Sequence, residues 1–79
     1  MIDENKVIDI ISVALDMNSN LVTIDSSSEN IEGWDSLAHL SILVALDRWL
    51  NGQAGKISGL ATATSVKEIV TLLNEYIDG

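Results

Sequence analysis

Apolar residues recur every three or four positions in three stretches of the chain, and polar residues fill the intervals. From about 3 to 17, Val7, Ile10, Ile11, Ala14 and Leu15 share one side of a helix, while Asp9 and Asp16 fall away from it. That period fits 3.6 residues per turn better than the alternation of a strand. Asp3 is placed to cap the start, Glu4 complements the positive end of the helix dipole, and Asn18-Ser19-Asn20 supplies a break. The stretch 35–50 is the strongest helix, with Leu37, Leu40, Leu43, Val44, Leu46 and Leu50, and with Ile42, Ala45 and Trp49 on other faces. An apolar surface this wide predicts contact with several neighbours, and Asn51-Gly52 ends the helix. In the last helix Ser65 is followed three residues on by Glu68, a capping-box pattern, and Val66, Ile69, Val70, Leu73, Tyr76 and Ile77 form one face.

The connections differ in kind. Between 21 and 34, Leu21, Val22, Ile24 and Ile31 can pack down around Asp25-Ser26-Ser27-Ser28-Glu29-Asn30, which is loop chemistry. A structureless connection of that length is uncommon in a compact domain unless it is functional. Residues 53–64 hold Gly55, Gly59 and several small side chains, with a short helical turn expected at 57–61. Proline is absent, no strand-like alternation is sustained and no repeat is found. The pattern predicts one all-α domain over 1–79: a small four-helix bundle of three main helices plus one short helix, with a long first loop.

Composition narrows what such a bundle can do. The 79 residues are 47% hydrophobic, too apolar for a disordered chain, and no apolar run approaches the ~20 residues of a membrane span. There is no cysteine and His39 is the single histidine, so disulfides, thiolate sites and a histidine-based zinc site are excluded and no metal is expected. The acidic start, Met1-Ile2-Asp3-Glu4, lacks the pattern of a signal peptide, which predicts a cytoplasmic protein. Met1 and the Asp78-Gly79 end, without a linker, favour a stand-alone monomer over a piece of a larger synthase. Twelve acidic against four basic residues give a formal −8, which repels phosphate backbones and excludes nucleic acid as a partner. The same charge either steers toward basic protein surfaces or keeps a small apolar protein soluble.

Candidate chemistry is sparse. Ser36 and His39 are three apart on one helix, but a Ser–His dyad there has little pocket around it and no obvious oxyanion hole, so an enzyme is not expected and His39 is assigned to the surface or to a partner-facing position. A calcium loop starting at Asp25 would place Asn30 where glycine is required and Ser36 where a bidentate glutamate is required, and it fails. Gly33-Trp34-Asp35-Ser36-Leu37 is different. Asp35 can accept the free amides at a helix start, and Ser36 then lies in the first turn, near unpaired N–H groups and the positive dipole end, a favourable place for a phosphate. The simpler alternative is that Asp35 and Ser36 only start the helix.

With this motif in place, the chain resembles the acyl carrier protein family over nearly its whole length. The first helix, the long loop, Asp35-Ser36-Leu37, the apolar second helix with Val44-Ala45-Leu46-Asp47, and the final capped helix carry the resemblance. It implies an acyl-carrier-like bundle in which a phosphopantetheinyl transferase esterifies Ser36 with the 4′-phosphopantetheine of coenzyme A. The arm's thiol would hold an acyl or aminoacyl cargo as a thioester, consistent with a chain that has no cysteine. Asp35 and Leu37 would flank the attachment point, and Glu32, Trp34, Asp35, Leu37, Val44 and Asp47 would dock basic loading and transferring enzymes. Where acids are usual on the second helix, this chain has Ala38, Ser41 and Arg48, which with Trp34 points to a specialised pathway (polyketide, nonribosomal peptide or surface saccharide) rather than bulk fatty-acid synthesis. The alternative function is an unmodified acidic helical module that binds other proteins.

Overall fold

The computed structural model describes residues 2–78, so the chain ends Met1 and Gly79 lie outside the described residues. Three α-helices, α1 (Glu4–Ala14), α2 (Ser36–Trp49) and α3 (Val66–Asp78), carry the fold, and no strand occurs among the described residues. Single 3-10 turns stand at Ser19–Leu21, Ala54–Lys56 and Leu60–Thr62. The all-α expectation holds. The short fourth helix expected at 57–61 is corrected: residues 57–59 separate two 3-10 turns, the second of which starts only at Leu60, after Gly59 at φ 87. A left-handed residue there ends any continuing helix, and only glycine takes that conformation freely.

Each helix end follows from local chemistry. Asp3 caps α1, its Oδ1 accepting the Asn5 amide at 2.9 Å. The helix then stops at Ala14, earlier than the apolar pattern predicts, because Asp16 turns left-handed at φ 56. The Met17 amide reaches the Ser12 carbonyl at 2.9 Å and the Asp16 amide reaches that of Val13 at 3.1 Å, the paired bonds of a Schellman motif. α2 ends the same way, with Asn51 at φ 57 and the Gly52 amide on the Asp47 carbonyl at 2.8 Å. At the start of α3 the Ser65 hydroxyl accepts the Glu68 amide at 3.1 Å and donates to the Glu68 carboxylate at 3.2 Å.

α1 packs on both α2 and α3, and Val7, Ile11, Ile42, Leu46, Val66, Ile69 and Leu73 are fully buried between them. Full burial of a side chain of this kind contributes roughly 1.5–3 kcal/mol. The buried face of α3 ends at Leu73: Tyr76 and Ile77, expected to extend it, are exposed, and the Tyr76 hydroxyl donates to Gln53 at 3.1 Å. Leu21 is likewise exposed rather than packed.

The long first connection is ordered by its own polar side chains. Ser26 Oγ accepts the Thr23 amide, Asn30 Oδ1 accepts the Ser27 amide, and Asn30 Nδ2 donates to the Asp25 carbonyl, all at 2.9–3.0 Å. An isolated bridge between Ser27 and Ser65 then pins this loop to the start of α3. Its bonds run from the Ser28 amide to the Thr64 carbonyl and from the Val66 amide to the Ser26 carbonyl, each 2.9 Å. The second bond satisfies an amide that an isolated helix would leave free. Val22, Ile31 and Trp34 are buried beneath the loop, which fixes the level at which the chain enters α2.

Candidate functional site

Ser36 is the first residue of α2 and is exposed. Asp35 precedes it in extended conformation and caps the helix, Oδ1 accepting the Ala38 amide at 2.9 Å. The His39 amide closes the first turn on the Asp35 carbonyl at 2.8 Å. The amides of Ser36 and Leu37 lie ahead of the intrahelical ladder, at the positive end of the helix. Both Asp35 and Ser36 thus stand where the sequence pattern put them.

Trp34 and His39 do not. Trp34 is 3% exposed and His39 7%, so neither the docking role expected for Trp34 nor the surface position expected for His39 holds. Their rings stack with centroids 6.1 Å apart, and the Trp34 indole N–H donates to His39 Nδ1 at 3.1 Å. An indole nitrogen can only donate, so Nδ1 is the accepting nitrogen and the ring proton sits on Nε2. Nε2 in turn faces the Leu60 carbonyl at 3.1 Å and donates to it. The imidazole therefore holds the entry loop, α2 and the 3-10 turn Leu60–Thr62 together. With both ring nitrogens engaged in the interior, it forms no dyad with Ser36. Nothing in the spacing of residues distinguishes this arrangement from a surface histidine; Trp34 five positions before His39 was the available signal.

Beside Ser36 lies a groove of about 570 Å³ that is walled by Trp34, Leu37, Leu40, Leu43, Ala61 and Thr64, with Ser28 at its margin. Leu43 and Ala61 also line a second depression, of about 410 Å³, that extends past Val44 and Asp47 to Ala54 and Ile57. From Ser36 to Asp47 the helix rises about 16 Å, which sets the length of this path. Leu43, Ala61 and Thr64 are walls that sequence reasoning did not single out. The run of small residues between 54 and 64 was the available sign, since bulkier side chains there would fill the groove.

The other expected docking residues divide. Leu37 is 77% exposed and Val44 is exposed, while Glu32 and Asp35 lie open on the surface with Asp25 and Glu29. Asp47 is half-buried, and its Oδ1 accepts the Ala54 amide at 3.2 Å, so that oxygen holds the turn Ala54–Lys56 in place. Between Lys6 and Arg48 the chain has no lysine or arginine, so the charged residues of the loop that leads to Ser36 are all acidic. Among the described residues no group of three or more His, Asp or Glu is arranged to hold a metal ion, and no helix is long and apolar enough to cross a membrane.

What fold and site define together is an all-α domain that displays a serine hydroxyl on the first turn of its central helix, above an apolar groove and within an acidic rim. Comparison of the chain with protein-family models, curated proteins and solved structures finds no match.

Proposed function

We propose that the chain is a carrier protein whose Ser36 accepts a 4′-phosphopantetheine arm, so that a cargo can be carried between partner enzymes. The observation that carries this reading is the exposed Ser36 hydroxyl at a helix start, opening directly onto the groove walled by Leu37, Leu40, Leu43 and Ala61. The groove suits such a group: its walls are largely apolar, and Ser28 and Thr64 in its lining carry hydroxyls that can pair with amides. When bound, the arm supplies the thiol that this chain lacks, and the thiol carries acyl or aminoacyl groups as thioesters.

The remaining work falls to residues of the chain. Asp35, by capping α2, fixes where the helix begins and so the place of the Ser36 backbone, and the Ser36 and Leu37 amides favour a phosphodiester attached there. His39 is not free to take the Ser36 proton, since it is committed to Trp34 and Leu60. The proton then leaves to a group on a separate transferase, which Glu32, Asp35 and the neighbouring acids attract if its surface is basic. Leu37, 77% exposed, supplies the apolar contact beside the attachment point. The outward row of α2 is apolar at Leu37, Leu40 and Val44 rather than acidic, which favours enzymes of a specialised biosynthetic pathway as partners.

Incubation with coenzyme A, magnesium and a broad-range phosphopantetheinyl transferase tests the reading by intact mass. The wild type gains one phosphopantetheine; Ser36→Ala gains none while keeping the helical circular dichroism of the parent. Absence of any mass gain with several transferases of different specificity rejects the proposal and leaves the acidic interaction module in its place.

A further inference from the structure

A third groove, of about 580 Å³, runs between α1 and α2 and does not include Ser36. Ile10 and Val13 from α1, with Leu40 and Val44 from α2, form its apolar floor and walls. Val13 is 78% exposed, and Leu40 and Val44 are exposed as well, although each is large enough to be packed. Lining residues recur on each helix at intervals of three and four: Lys6, Ile10 and Val13 on one, Leu40, Val44 and Arg48 on the other. Two helices that each present one apolar stripe leave a seam into which the ridge of a third helix fits.

The charges along this seam are the reverse of those around Ser36. Of the four lysines and arginines in the chain, Lys6 and Arg48 both line it, with Asp9 the one acid beside them. We infer that the α1–α2 groove binds an amphipathic helix of a partner protein whose apolar stripe is flanked by aspartate or glutamate. A second copy of this chain is a poorer occupant, because it sets a formal −8 against a formal −8, whereas one helix brings only the few acids that face Lys6 and Arg48. An anionic membrane surface repels the chain for the same reason. The partner so defined differs from the basic enzymes drawn to the Ser36 rim, and the inference does not rest on the carrier reading.

A displayed library of random 18-residue peptides, selected against the immobilised full chain with excess Val13→Glu variant as competitor, tests it. Enriched peptides should show apolar residues at helical spacing with acidic flanks, and should bind Val13→Glu at least about tenfold more weakly, which is 1.4 kcal/mol. The double variant K6E/R48E should select basic flanks instead, and Ser36→Ala should bind the original peptides unchanged. Because Val13 and the two cations are at the surface, circular dichroism should report intact helices in every variant. Failure to enrich any peptide overturns the inference, as do basic flanks on the wild type or equal binding to Val13→Glu. Two further results assign the groove to another occupant and also overturn it. One is a concentration-dependent dimer in sedimentation that Val13→Glu abolishes; the other is Val13-dependent binding to phosphatidylglycerol vesicles.

Discussion

α2 carries two rows of side chains with identical spacing and opposite fates. Residues 39, 42 and 46 point inward, as His39, Ile42 and Leu46; residues 37, 40 and 44 point outward, as Leu37, Leu40 and Val44. The inner row contains the only histidine of the chain, and the outer row is entirely apolar. Judged by hydrophobicity alone the two would be exchanged. The difference is one of partners: the inner row meets α1 and the 3-10 turns at Ala54–Lys56 and Leu60–Thr62, and its polar member is satisfied by Trp34 on one side and Leu60 on the other. A buried polar group costs little when its hydrogen bonds are complete, and no buried side-chain nitrogen or oxygen among the described residues lacks one. The outer row has no covering element, and apolar side chains left open on a small domain are where other molecules bind.

The largest expected effect separates the rows by stability. Leu46→Ala, fully buried, should cost about 2–5 kcal/mol in urea unfolding, whereas Leu40→Ala on the outer row should change it by less than about 0.5 kcal/mol. Similar losses at both positions would mean that the outer row is packed. Next in size is His39→Ala. It strands the Trp34 indole N–H in the interior, at about 1–3 kcal/mol for a group left unsatisfied, and takes from the Leu60 carbonyl one of its two donors. The Leu60 carbonyl also accepts the Ala63 amide at 3.2 Å, so amide exchange at Ala63 should accelerate more than exchange at Ile69, whose amide closes the first turn of α3 on Ser65. Equal acceleration at both would show that His39 supports the whole bundle and not the turn beside the groove.

Much of this fold can be read from the chain. The helix starts at Asp3, Asp35 and Ser65 rest on local hydrogen bonding, and a local rule finds them. Asn51-Gly52 as a stop is local in the same way. α1 is overrun by three residues because Asp16 in left-handed conformation is a weaker signal than glycine, and apolar Leu15 and Met17 continue the pattern past it. What stays hidden depends on contacts distant in sequence. The Ser27–Ser65 bridge, the Asp47–Ala54 cap and the His39–Leu60 bond each join segments whose pairing no local spacing announces. For the site, Ser36 and Asp35 were legible because a helix start is local, while the groove walls Leu43, Ala61 and Thr64 come together only when the second connection folds back on α2.

The smallest effect on stability belongs to Leu37, at the head of the outer row. At 77% exposure it adds little to the core, so Leu37→Ser should move the unfolding free energy by no more than about 0.5 kcal/mol. Its side chain is nonetheless the apolar group next along the helix from the Ser36 hydroxyl, and a transferase that takes up that hydroxyl has to cover it. Removing a well-buried apolar contact from an interface typically weakens it by more than 1 kcal/mol, which corresponds to a loss of several-fold or more in kcat/KM for modification. Leu40→Ser, one turn further from the hydroxyl, should lose less, and Val13→Ser, on α1, should lose nothing. A rate unchanged at Leu37 but reduced at Val13 would move transferase docking to the α1–α2 groove, where Leu40 and Val44 of the outer row would take part and Leu37 would not.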